Sequence, residues 1–314
     1  MRRTRYARVL AWICGAALAA LACGPDQALA TTLGVAMTSP VASTQLLHDS
    51  LEEHARARSL LIRFAYAPEG AGEQQIAQVR DFIVARVDAL LVMPAGAAAT
   101  ATITRLAQEA DIPLVYINDG PREEWFTGRV TFVIPNEIVA GRLQMRKLAQ
   151  MMNGTGRLAI ISGRPAQAVS IQRTRGVKEV MAEFPGIQLV AEGAADWDRR
   201  TASTLVSGWL NAGTGIDAIA ANNDAMAIGA ADAVEAFGLH AGQILIGGID
   251  ATADGMQAMQ RKRLAVTIHL DATLEGRRAI EDALALIARR PVPHYDWVPF
   301  TLVTDRMSTM HFLK

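Results

Sequence analysis

The chain has 314 residues, 51% of them hydrophobic, and its 31 basic side chains balance its 31 acidic ones. A zero formal charge supplies no basic face for nucleic-acid phosphates, and two cysteines, Cys14 and Cys23, are too few for a disulfide framework.

Residues 1–30 carry Arg2, Arg3, Arg5 and Arg8, then the apolar stretch Val9 to Leu21, then Ala28-Leu29-Ala30. This is the three-part layout of a secretory signal peptide, cleaved near Ala30. The apolar stretch is shorter than the roughly 20 residues a membrane-spanning helix needs. Cys23 offers lipid anchoring as an alternative, although Ala20-Leu21-Ala22 matches a lipoprotein cleavage box poorly. Cleavage removes four arginines, one aspartate and both cysteines, leaving 27 basic and 30 acidic side chains, a net charge of −3. The expectation is a soluble periplasmic protein without thiols.

After residue 30, strand-like and helix-like patterns alternate, the signature of parallel sheets covered by helices. Leu33 to Met37 reads as a strand, followed by a helix carrying Leu46, Leu47 and Leu51. Leu60 to Ala65, a helix through Ile76, Val79 and Ile83, and the strand Ala89 to Met93 come next. Helix Ala98 to Ala110 and strand Pro113 to Ile117 complete four βα units. A second series opens with strand Val130 to Ile134 and helix Glu137 to Met152. Strand Leu158 to Ile161, a helix around Val177 to Phe184, strand Ile187 to Val190 and a helix near Leu205 to Leu210 follow. Two strands then end in polar residues: Ile216 to Ala221 before Asn222-Asn223-Asp224, and Ile244 to Ile249 before Asp250. Strand Leu264 to His269, helix Thr273 to Ala288 and a closing strand Val298 to Val303 finish the chain. The fold class is α/β, with two similar lobes joined by short crossings.

In open α/β sheets, ligands bind beyond the carboxyl ends of the strands. Asn223 and Asp250 sit there, and either could instead be a helix N-cap. Their recurrence on successive strand ends favours ligand contact for both and leaves Asp224 as the cap. Arg173 and Arg175, in Ser170 to Gly176, begin a helix where the macrodipole disfavours cations. Arg173 therefore has a specific task, its planar fork of donors suiting paired oxygens, whereas Arg175 reads equally well as a solvated residue. Asn118 and Asp119 end the fourth strand, in a sequence, Asn-Asp-Gly-Pro, that also makes a good turn. Trp197 lies in a polar stretch after a strand, and Trp125-Phe126 carries the same choice between stacking on a ligand and partial burial.

Enzyme signatures are missing. The first βα turn, Thr38-Ser39-Pro40, lacks a dinucleotide glycine fingerprint, and no phosphate-cradling loop occurs. His48 and His54 have no zincin spacing and there is no Gly-x-Ser-x-Gly elbow. The expectation is a binding protein with no catalytic residues, no metal site and no cofactor.

Ser170 to Gly176, Ala195 to Arg199, Ala221 to Ala227, Gly247 to Asp250 and Leu264 to Ile268, in this order behind a signal peptide, resemble the type I periplasmic sugar-binding proteins. These belong to the ribose- and galactose-binding group that feeds ABC transporters. The resemblance covers essentially the whole chain after residue 30. It implies that Arg173, Asn223 and Asp250 bond ligand hydroxyls from the second lobe, that Asn118 and Asp119 line the first, and that Trp197 lies near the cleft. It also implies three interlobe crossings, near Ile134, near Leu264 to Asp271 and near Asp296 to Phe300. Residues 31–134 plus about 270–296 would form the first lobe, and 135–269 plus about 297–314 the second. Lobe closure over a small sugar-like ligand would present it to an ABC permease or, alternatively, to a sensor ectodomain, with the protein a monomer. Two departures bear on the ligand. Pro40 to Gln45 lacks the rings that sandwich a sugar in this family, and Leu270, with His269 and Asp271 beside it, stands where Asn or Gln is usual.

Overall fold

The computed structural model describes residues 30–40, 42–121 and 126–304. Residues 1–29, on which the signal-peptide expectation for 1–30 rests, lie outside the described residues, as do Cys14, Cys23 and Trp125.

The chain opens with β1 (Thr32–Thr38), α1 (Ala42–Ala57), β2 (Leu61–Ala67), α2 (Gly72–Val84), β3 (Ala89–Val92), α3 (Ala97–Glu109), β4 (Leu114–Ile117) and β5 (Val130–Pro135). It continues through α4 (Glu137–Met151), β6 (Thr155–Ser162), α5 (Ala168–Met181), β7 (Gly186–Ala194) and α6 (Arg199–Asn211). Then come β8 (Ala218–Ala221), α7 (Asp224–Ala236), β9 (Leu245–Gly247), α8 (Ala253–Gln260) and β10 (Thr267–Leu270). The last elements are α9 (Ala272–Ile287), β11 (Tyr295–Val298) and β12 (Phe300–Val303).

Two parallel sheets result. The first has the order β11-β5-β4-β3-β1-β2 and the second β7-β6-β8-β9. Their central strands read ALLV, LVYI and AIAA and are buried throughout, as expected where helices cover both faces. Leu33, Val35, Leu91 and Val115 pack on one face of the first sheet against Ala279 and Ile280, and Ala36, Leu90, Leu114 and Tyr116 pack on the other. The second sheet is likewise sandwiched, by α6 and α7 on one face and α4 and α5 on the other. The molecule is thus two α/β lobes.

The chain passes between the lobes three times. Pro135 leads from β5 into α4, Leu270 and Asp271 lead from β10 into α9, and Pro299 separates β11 from β12. Bridges Gly247–Val266 and Asp250–His269 tie the β10 segment to the second sheet, while β10 and β12 pair antiparallel.

Three details differ from the sequence reading. The strand from Val130 opens no second series: it pairs with β4 and β11 in the first sheet. The closing apolar run is two strands, because proline cannot donate to a ladder and β11 and β12 belong to different sheets. The helix read around Val177 to Phe184 is the second half of α5, which opens at Ala168 and takes in the Ser170 to Gly176 segment read as a helix start. Its inward face has helical spacing, but the first members are Ser170, Arg173 and Thr174, so hydrophobicity does not reveal it.

Candidate ligand-binding cleft

The site of the second lobe begins with glycines. A Cβ on Gly141 of α4 would overlap the carbonyl oxygen of Arg173, and one on Gly176 of α5 would overlap that of Ile138. These bare backbones let α4 and α5 approach closely enough for Glu137 and Arg173 to meet. Arg173 Nε donates to Glu137 Oε2 at 2.5 Å, and its Nη1 donates to Asp250 Oδ1 at 3.0 Å and to the Asn222 carbonyl at 2.8 Å. Arg173 is 5% exposed and Glu137 2%. Burial alone would lower the arginine's affinity for its proton, but the two carboxylates outweigh it and keep the guanidinium charged. Burial pushes the Asp250 carboxyl up to about 6 against the pull of Arg173.

Asp250 has a φ of 107° and Ala251 one of 49°. An aspartate in that region stores strain, which persists only where surrounding contacts fix it. The Asp250 N–H donates to Ile268 O at 2.8 Å and the Ala251 N–H to Thr267 Oγ1 at 3.2 Å. The carboxylate is thereby aimed at Arg173.

The Asn222-Asn223-Asp224 stretch divides three tasks. Buried Asn222 accepts through Oδ1 from Gly163 N at 3.2 Å, Ser170 Oγ at 3.3 Å and Thr174 Oγ1 at 3.1 Å. Asn223 is the N-cap of α7, accepting from Met226 N at 2.9 Å. Asp224 is not the cap. Its fully buried carboxyl accepts from Thr267 Oγ1 at 2.6 Å and from Thr252 N at 2.8 Å, and glycines 248 and 255 leave room for it. Burial first, and then the Asp250 charge, push Asp224 up to about 7. The cap falls one residue earlier than expected because the side chain of Asp224 points into the core.

Trp197 has φ 68° and its indole N–H donates to Gln167 Oε1. The ring covers Gly163, where any Cβ would overlap it. Because Gly163 also binds Asn222, the tryptophan backs the same cluster. In the first lobe, Asn118 follows β4 with φ 61°, and its N–H donates to Glu275 Oε1 at 2.6 Å. Asp119 Oδ1 accepts from the N–H of Gly120 at 2.8 Å.

Arg173, Asp250 and Asn222 are therefore joined directly, Asn223 and Trp197 adjoin them, and Asn118 and Asp119 form a separate half on the other lobe. Glu137, Asn222 and Glu275 escape the sequence reading. Acids in a first helical turn look like ordinary partners of the macrodipole, and nothing local marks Glu137 as the counterion of a residue 36 positions later. Among the described residues, no group of three or more His, Cys, Asp or Glu is placed to hold a metal ion.

Residues 36–291 match the family described as periplasmic binding protein domain. The chain belongs to that family. A Rhizobium meliloti protein named for rhizopine binding is 36% identical over 263 residues, 82% of this chain and 85% of that protein. An ABC transporter solute-binding protein from Bacillus halodurans, solved with bound myo-inositol, superposes with a TM-score of 0.83 at 31% identity, covering 90% of this chain and 96% of that one. A periplasmic one from Actinobacillus succinogenes with bound D-allose gives 0.82 at 26% identity, covering 89% and 99%. The fold is thus that of the type I periplasmic binding proteins, and the family is that of sugar-binding ABC transporter components, which bind rather than transform their ligands.

Proposed function

We propose that this periplasmic binding protein captures a small cyclic polyol by lobe closure and delivers it to an ABC permease. The observation that carries the reading is the union of Arg173, Asp250 and Asn222 at the carboxyl ends of strands, on the lobe opposite Asn118 and Asp119. A hydroxyl both donates and accepts, and this set offers guanidinium and amide donors beside carboxylate acceptors. Relatives solved with myo-inositol and D-allose support a hydroxyl-rich ring. The ring-free sequence Pro40 to Gln45 argues against a flat pyranose held between aromatic faces.

In this reading Asn118, Asp119, Arg173, Trp197, Asn223 and Asp250 line the cleft. The first lobe comprises residues 31–134 with about 270–296 and the second 135–269 with about 297–314. Strand β11 carries the later boundary to Pro299. The leader is removed near Ala30, and the mature monomer works in the periplasm. Thermal-shift measurements with myo-inositol, D-allose, D-ribose, linear polyols and D-glucose test the ligand class. Saturation at a hundredfold excess over Kd stabilises by about 2.7 kcal/mol, several degrees for a chain of this size. The expected hit is a cyclic polyol; no shift with any of these compounds overturns the reading.

A further inference from the structure

Helix α9 opens at the second crossing, and Glu275 in its first turn is fully buried. Its Oε1 accepts from the left-handed Asn118, while its Oε2 has no partner among the described residues. The strands beneath, ALLV, LVYI and VTFVIP, carry no charged side chain. From α4 the facing charge is Glu137, negative and engaged by Arg173. Asp296 of β11 is taken by Arg278, His54 of α1 bonds to Ser50, and Asp271 spends its Oδ1 capping α9 at Leu274 N. His269, before the crossing, is held toward its neutral form by burial.

Among the described residues, no cation is paired with Glu275. An ionised carboxylate buried without a partner is costly, and such a group keeps its proton instead. Burial, with Glu137 adding to it, pushes this carboxyl up to about 8. The proton belongs on Oε2, since Oε1 receives the Asn118 N–H.

The geometry points to Glu275 as a positioning residue of the ligand site: an un-ionised carboxylic acid that clamps the Asn118 turn and keeps an unpaired charge away from the Glu137–Arg173 pair. This rests on the cleft described above as the binding site. Ionisation would add a buried negative charge within the electrostatic reach of Glu137, so ligand affinity should follow the protonation of this one group.

The test uses the full mature chain, with wild type, E275Q and E275A titrated calorimetrically with myo-inositol and D-allose between pH 6 and 9.5. E275Q keeps an acceptor for Asn118 and cannot ionise. It should bind within about threefold of wild type at pH 6.5 and about tenfold tighter than wild type at pH 9, one unit of ionisation being tenfold in affinity. E275A, which leaves the Asn118 N–H unpaired, should bind at least about tenfold more weakly at both pH values. A protonated-carboxyl infrared band in the wild-type-minus-E275Q difference spectrum of the ligand-free protein at pH 7, in which the Asp224 contribution cancels, reports the acid without any ligand. Identical pH profiles for wild type and E275Q, unchanged affinity in E275A, or no such band would each overturn the proposal. If wild type binds neither compound, the ligand class fails, and the infrared band still decides the state of Glu275.

Discussion

The two halves of the proposed cleft are held by different forces. On the second lobe, Arg173 bridges two carboxylates and a carbonyl drawn from three segments, with all groups largely buried. On the first lobe, Asn118 is fixed by one short bond to a carboxyl whose other oxygen stands alone. The ionic half is over-determined and cannot lose a member cheaply. The Asn118 turn depends on a single carboxyl and a single backbone amide. Stability should therefore be concentrated on one side of the cleft and sensitivity to pH at the hinge.

The largest effect expected is that of Arg173→Ala, which strands Glu137 and Asp250 as buried charges. Breaking a buried pair in this way costs about 3–5 kcal/mol, to be measured by urea unfolding. A loss no larger than that of an exposed arginine would show that the ionic half is not over-determined. Gly176→Ala should follow, since its Cβ meets backbone of α4 rather than a flexible side chain. Overpacking of this kind costs about 1–3 kcal/mol. The same change at Gly208, where a Cβ meets nothing within 4 Å, is the control and should not destabilise.

A third experiment separates buried acids from surface ones. Asp224 titrates near 7 when folded against 3.8 ordinarily, so the folded state holds a proton the unfolded chain has released. Its contribution is fully present below about pH 4 and is lost as pH rises through about 7. Unfolding midpoints should therefore decline between pH 5 and 7.5, and Asp224→Asn should flatten the decline. A midpoint that rises over this window would refute the assignment. Asn223→Ala removes a cap worth about 1 kcal/mol, while Asn223→Asp keeps the accepting oxygen and should restore stability. The smallest effect expected is at the rim, where Arg164 of the second lobe pairs with Glu69 of the first, both partly exposed. Exposed pairs contribute about 0–1 kcal/mol, so Glu69→Ala should speed ligand release by no more than about fivefold, less at high salt. A larger change would mean that the halves are coupled outside the hinge.

Much of this architecture is legible in the sequence. Runs such as ALLV and LVYI announce strands buried on both faces, and the polar residues that end Ile216 to Ala221 and Ile244 to Ile249 mark the edge proposed to bind the ligand. What the sequence hides is pairing at a distance. Glu137, Arg173 and Asp250 become one unit only after α4 and α5 close on Gly141 and Gly176. Whether Asn223 or Asp224 caps α7 likewise depends on the pocket left by glycines 248 and 255. Periodicity reports which face is apolar, and it is silent over the first turns of α5, which bury Ser170, Arg173 and Thr174 instead.

Two of the three crossings carry a proline, and these lie side by side, since Pro135 is in register with Val298 and Pro299 comes next. A pyrrolidine ring locks φ near −65°, so one backbone rotation is removed at each of these two positions. In the proposed closure, bending at the paired prolines falls to their ψ angles and to the residues beside them, and the proline-free crossing at Leu270 and Asp271 is left as the most compliant of the three.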